Sequence, residues 1–238
     1  MHVSKRTYFE AVRFIKSKET ETDIERQINQ TLIAKPQYEE FDEFTIKRLN
    51  KAAQESQRAA HYYKYRHITL QSLIKFELGY SEKQDMVTIP VHSPDGICVG
   101  FVGRSVEGKE FKNTPGLPKS KVLFNLHRVK SSNKVYVVES SFDAIRLDQC
   151  GLPAVATLGS TVSGTQTDLL KKYFNEVILL ADNDEAGKNM QEKMAERLGH
   201  KLSIVKLDSK YKDIGDMPDE EIKNLEYRFD TAIISMLN

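Results

Sequence analysis

From about residue 133 the chain alternates short unbroken apolar runs with longer stretches whose apolar residues recur at helical spacing. The runs at 135–138, 154–158, 177–181 and 202–207 read as strands buried on both faces. Between them, 140–150, 165–174 and 186–198 read as helices. In the last, Met190, Met194 and Leu198 share one face, and Lys188, Glu192, Glu196 and Arg197 cover the other. Gly151 and Gly199 are placed to end helices. Continuous apolar strands alternating with helices predict an α/β fold, a parallel sheet with helices on both faces.

Upstream the pattern changes. Met86-Val87-Thr88-Ile89-Pro90-Val91 and Ile97-Cys98-Val99-Gly100-Phe101-Val102 flank Ser93-Pro94-Asp95-Gly96, which predicts a hairpin with Asp-Gly in its turn. Leu70, Leu73, Ile74 and Leu78 predict a helix, with Gly79 as its terminator. The first 60 residues are polar, with one helical stripe at Tyr8, Phe9, Val12 and Ile15 and a weaker one at Phe41, Phe44, Ile46 and Leu49. Residues 20–35 between them read as helix or loop.

Composition narrows the functional classes. The formal net charge of +1 over 238 residues gives no global basic field, so nucleic-acid binding would need a local patch. Two cysteines, Cys98 and Cys150, exclude a disulfide framework and a four-cysteine zinc ribbon. No apolar run approaches 18 residues and no signal-peptide pattern opens the chain. A reducing cytoplasm, with no membrane partner, is the expected compartment.

In a parallel α/β sheet the ligand crevice lies beyond the carboxyl ends of the strands. Here those ends supply Glu139, then Thr157-Leu158-Gly159-Ser160, then Asp182-Asn183-Asp184, then Lys212-Asp213-Ile214-Gly215-Asp216. Carboxylates gathered at one rim repel each other unless a cation sits between them. Hard oxygen donors select Mg²⁺, and two such ions could clamp a phosphoryl displacement. Gly159 and Gly187 allow close backbone approach. Asp143 opens the helix after Glu139, where it either complements the helix dipole or supports a metal from behind.

Two further stretches leave alternatives open. The loop 105–121 carries Lys109, Lys112, Lys119 and Lys121 beside Arg104, which suits a solvated surface or a phosphate-contacting patch. Tyr62-Tyr63-Lys64-Tyr65-Arg66-His67 mixes aromatics with cations, which suits single-stranded nucleic acid or a core cluster at a domain edge.

Glu139-Ser140-Ser141-Phe142-Asp143, Thr157-Leu158-Gly159-Ser160 and Asp182-Asn183-Asp184-Glu185-Ala186-Gly187 together resemble the Toprim module of DnaG-type primases, type IA and II topoisomerases and some nucleases. Further upstream, Arg66-His67-Ile68, Phe76-x-Leu78-Gly79-Tyr80, Ile89-Pro90-Val91, Gly100-Phe101-x-Gly103-Arg104 and Phe111-Lys112-Asn113-Thr114-Pro115 follow the order of the primase catalytic core. Leu123-Phe124-Asn125-Leu126 resembles the segment linking its two parts. The resemblance covers about residues 65–216.

Residues 1–60 read as a helical segment and 217–238 as a helical tail; between them the resemblance implies a smaller α+β primase-core subdomain at 61–131 that contacts nucleic acid and a Toprim-type sheet at 132–216. The resemblance also implies DNA-templated synthesis of short RNA primers from ribonucleoside triphosphates on single-stranded DNA. Glu139, Asp182 and Asp184 would hold catalytic Mg²⁺, or Mn²⁺ in its place, with Asp213 and Asp216 assisting. Arg66, Arg104, Lys109, Lys112, Lys119 and Lys121 would hold template or triphosphate, and His67 would be structural. Ser140 departs from the usual glycine, and Glu110 stands where lysine is frequent, so that Lys109 or Lys112 would replace it. The first 60 residues lack cysteine, so no zinc is expected. That implies a minimal or phage-type core working with a replicative helicase or a separate replication subunit. A Toprim nuclease and a non-catalytic primase-like binding subunit are the alternatives; a topoisomerase would need a catalytic tyrosine on a further domain.

Overall fold

In the computed structural model, which describes residues 39–180, 185–205, 207–208, 210–211 and 213–225, two four-stranded sheets share one hydrophobic core. The stripe at Tyr8 to Ile15, the segment 20–35, Asp182, Asp184, Lys212 and residues 226–238 lie outside the described residues.

Helix α1 (Glu43–Glu55) starts at Asp42, whose carboxylate accepts the Thr45 N–H at 2.8 Å. Ser56 stops it and caps α2 (Gln57–Tyr65). The predicted α1 stripe holds at Ile46 but not at Phe44, which is 74% exposed. Helix α2 runs through residue 60, where the first division was expected.

Helix α3 (Leu70–Lys75) ends earlier than its apolar spacing predicts. Its left-handed terminator is Glu77, φ +54°, not Gly79. The Glu77 and Leu78 N–H groups donate to Ile74 and Leu73, closing a Schellman-type end. Gly79 is needed for another reason. It opens β1 (Gly79–Ser81), where a Cβ would stand 2.5 Å from Thr88 Oγ1 and 2.7 Å from Leu49 Cβ. Leu70 and Ile74 face solvent, and only the Leu73 side of this helix enters the core.

The predicted hairpin is present as β2 (Met86–His92) and β3 (Cys98–Ser105), with Gly96 at φ +89° in the turn. With β1 and β4 (Phe111–Asn113) they form an antiparallel sheet in the order β1-β2-β3-β4. A short helix α4 (Leu126–Val129) leads into the second sheet.

That sheet is parallel, as predicted. Strands β5 (Lys134–Val138), β6 (Ala154–Ala156), β7 (Glu176–Leu179) and β8 (Leu202–Ile204) lie in the order β6-β5-β7-β8. Helices α5 (Ser141–Gln149), α6 (Gly164–Tyr173) and α7 (Glu185–Leu198) make the crossovers. Alternation along β5 divides the core. Tyr136 and Val138 face α5 and the antiparallel sheet, while Val135 and Val137 face α6 and α7. Both faces are covered, which is why the strands read as unbroken apolar runs. Each fully buried Val or Ile contributes ~1.5–3 kcal/mol.

Residues 217–225 pack onto the main core. In the closing helix α8 (Asp219–Lys223), Ile222 is buried in the main core, as are the flanking Met217 and Leu225. Among the described residues, no helix is long and apolar enough to cross a membrane.

Candidate active site

The chain runs from β5 to β6 on one side and later to β7 on the other, so the carboxyl end of β5 is the topological switch point of the parallel sheet. Glu139 stands there. Its carbonyl accepts the Gly159 N–H at 3.2 Å, which ties the β5 end to the loop after β6. In that loop Thr157 donates its hydroxyl to the Gly159 carbonyl at 2.6 Å, and Leu158 adopts φ +63°. A left-handed leucine costs about 1–2 kcal/mol, a strain typical of functional loops.

A cleft of about 540 Å³ opens over these loops. From the parallel-sheet half it is lined by Glu139, Asp143, Leu158, Gly159 and Asp213. From the residues before that half it receives Arg66, Arg104, Phe111 and Lys119. Ser140, the departure from glycine, also lines it and caps α5 by accepting the Phe142 N–H at 3.2 Å. Asp143 is buried in the first turn of α5, so it sits near the helix dipole and on the cleft wall at once.

Asp213 and Asp143 converge because residue 215 is glycine. A Cβ at Gly215 would stand 2.9 Å from Asp213 Oδ1 and 3.3 Å from Asp143 Oδ1. Asp213 Oδ1 is buried and has no hydrogen-bond partner among the described residues. A buried carboxylate oxygen in that condition is costly unless a cation or donor reaches it. Carboxylate oxygens are the donors that hard divalent cations prefer, so the residues present fit such an ion. Among the described residues alone no three metal-binding side chains cluster tightly enough to hold one. Asp182 and Asp184, which would complete the set, follow β7 in sequence outside those residues.

The cations are held on aromatic faces. The Phe142 ring centre lies 5.4 Å from the Arg66 guanidinium and 6.0 Å from that of Arg104. Burial opposes the Arg66 charge, but the Tyr62 hydroxyl and the Asp213 and Asp143 carboxylates offset it, leaving its pKa raised. For Arg104 burial dominates, with repulsion from Arg66 added, and its pKa is lowered. Arg104 Nε is buried without a partner among the described residues.

The Tyr62 to His67 stretch is divided between the core and the cleft. Tyr63 is a core residue whose hydroxyl donates to the Gly79 carbonyl at 2.7 Å, and Arg66 reaches the cleft. Several expected residues lie outside the lining. Lys109, Lys121 and Asp216 are exposed elsewhere on the surface. Lys112 lines a separate depression with Lys83 and Glu110. Gly187 is buried within α7, whereas at Gly159 a Cβ would meet nothing within 4 Å.

Sequence reading quoted Phe111 without giving it a role and missed Arg146 and Gln166. Buried Arg146 lines the cleft, pairs with Asp219 at 2.6 Å and donates to the Met217 carbonyl at 2.9 Å. Gln166 had a readable signal, the capping box Ser163-x-x-Gln166. Arg146 had none, because its partners are far away in sequence.

Residues 136–217 match a family model described as Toprim-like. The chain is 33% identical over 143 residues to a DNA primase of Mycoplasma genitalium, covering 55% of this chain and 24% of that protein. It therefore spans about a quarter of the primase it matches. It is 32% identical over 180 residues to the uncharacterized protein MG010 of the same organism, covering 71% of this chain and 83% of that protein. In three dimensions it superposes on a DnaG primase catalytic domain bound to ssDNA with a TM-score of 0.68 at 20% identity, over 79% of this chain and 76% of that one. The two share a fold.

Proposed function

The chain belongs to the Toprim superfamily, in the group built on the DnaG-type primase catalytic core, and on that premise we propose that it makes short RNA primers on single-stranded DNA from ribonucleoside triphosphates. One observation carries the reading. Acids from the parallel-sheet half (Glu139, Asp143, Asp213) and cations from the residues before it (Arg66, Arg104, Lys119) face one cleft. Nucleotidyl transfer needs both, cations to hold phosphates and acids to hold a divalent ion.

Glu139, Asp182, Asp184 and Asp213 would hold Mg²⁺, with Asp143 supporting Asp213. When bound, that ion supplies Lewis-acid stabilisation of the charge that develops on phosphoryl oxygens. The chain's own residues bind and orient. Arg104 lies over the Phe111 ring with its Nε unpartnered among the described residues, a planar donor suited to a phosphate oxygen. Arg66 approaches the same space from α2. Phe111, exposed beyond its arginine contact, offers a face on which a base can stack. A replicative helicase or a separate replication subunit would deliver the core to its template.

Incubation with single-stranded DNA, labelled ribonucleotides and Mg²⁺ tests the reading. Short template-dependent RNA supports it. Shortened DNA would mean a nuclease, and binding without products a non-catalytic subunit.

A further inference from the structure

We propose that Gln166 is a positioning residue for Lys119, fixing how far that cation stands from the acidic rim. In an ordinary capping box the glutamine oxygen accepts the cap N–H and its NH₂ group is spare. Here Gln166 Oε1 accepts the Ser163 N–H at 2.9 Å, and the NH₂ group is buried with work to do. Its two hydrogens are shared among the carbonyls of Lys119 at 3.0 Å, Val122 at 2.9 Å and Thr157 at 3.0 Å. Ser163 adds a second tie, its hydroxyl donating to the Ser120 carbonyl. One side chain, 1% exposed, thereby joins the segment 119–122 to the end of β6.

The connection continues to the acid. Thr157 bonds the Gly159 carbonyl, and the Gly159 N–H bonds the Glu139 carbonyl. An unbroken series of hydrogen bonds runs from the Lys119 backbone to the Glu139 backbone. The Lys119 side chain is left free to reach the cleft it lines. The amide suits this role because it supplies two donors and an acceptor without charge. A buried lysine or glutamate there would face desolvation, and a glutamate would also face three carbonyls.

The inference rests on the reading of the cleft as a phosphate-binding site. Its test is the affinity for a single-stranded oligodeoxynucleotide in Mg²⁺, measured against salt concentration for wild type, Lys119→Ala, Gln166→Met and the double variant. Loss of one phosphate contact lowers the salt slope by about 0.7 for a single strand. Gln166→Met is expected to weaken binding about threefold to tenfold and to lower the slope as Lys119→Ala does. The double variant should bind no more weakly than Lys119→Ala alone. A wild-type slope in Gln166→Met, or losses that multiply in the double variant, overturns the proposal and leaves the binding reading standing. Wild-type protein that does not bind overturns both. If Gln166→Met does not fold, Gln166→His, which keeps one donor, takes its place under the same criteria.

Discussion

The guanidinium of Arg104 lies 3.7 Å from the centre of the Phe111 ring, and the two residues are register partners across β3 and β4. A cation this close to a ring face is worth ~0.5–1 kcal/mol at a partly exposed site, and Arg104 Nε has no partner among the described residues. Arg104→Ala should therefore weaken oligonucleotide or triphosphate binding by about tenfold and lower the salt slope, with less than about 1 kcal/mol lost in stability. Arg104→Lys should recover only part of the affinity, because an ammonium lacks the planar fork. Binding isotherms and urea unfolding check this. A variant that binds normally but unfolds early would make Arg104 structural.

Asp213→Asn separates stability from function. The buried Asp213 oxygen has no partner among the described residues and stands beside Asp143. Removing its charge should leave stability in chelator within about 1 kcal/mol of wild type, because relief from Asp143 and loss of attraction to the partly buried Arg66 and Arg104 oppose each other. The gain in Tm on adding Mg²⁺ should shrink, because ligand stabilisation follows affinity for the folded state. Lower stability in chelator together with an unchanged Mg²⁺ shift would show that Asp213 has another partner and no part in the ion site.

Gly79→Ala tests close packing well away from the cleft. The added methyl would meet Thr88 and Leu49 Cβ below contact distance, so α1 or β2 must move. Overpacking of this kind costs ~1–3 kcal/mol. Urea unfolding should show that loss, with oligonucleotide affinity unchanged once the protein is folded. No loss would mean that α1 packs more loosely on β1.

The parallel sheet and the place of Glu139 at its rim were legible because one physical rule governs both. Strands buried on two faces must be apolar throughout, so β5 to β8 announce themselves and the polar residue ending β5, Glu139, stands out. The resemblance added Arg66 and Arg104, and both reach the cleft. What stayed hidden depends on partners distant in sequence. Helix α3 looked longer because Leu78 continues its apolar spacing, yet that residue is buried in the core beyond a Schellman turn at Glu77. Arg146 meets His67, Met217 and Asp219, none of which its local sequence signals. The lysines of the loop 105–121 could not be ranked by composition, and only Lys119 among them lines the cleft.

The pH dependence of stability should have a distinctive acid limb. His92 and His127 face each other with ring centres 4.5 Å apart, and neither Nδ1 has a partner among the described residues. Burial lowers their pKa values to about 4 and about 3, and Arg128 repels both protonated forms. His127 is further opposed by His92 and Lys130, while Glu77 lies 3.7 Å from His92. Unfolded histidine titrates near ~6.5. Between about 6.5 and 4 the unfolded chain binds more protons, so stability falls as pH drops through that window and is level above it. The slope is at most about 1.4 kcal/mol per pH unit for each ring. His127→Phe should remove about half of this histidine contribution in urea unfolding between about pH 4.5 and 7. An acid limb identical to wild type would contradict it.

The central claim, that the acidic rim drives primer synthesis, is tested most directly by Glu139→Gln. The substitution keeps shape and removes one charge at the switch point of the sheet. Template-dependent incorporation of labelled ribonucleotides in Mg²⁺ should fall at least about a hundredfold, the scale seen when a group stabilising transition-state charge is removed, while oligonucleotide binding stays within about threefold of wild type. Synthesis at the wild-type rate would contradict the account, as would wild-type protein that makes no template-dependent RNA.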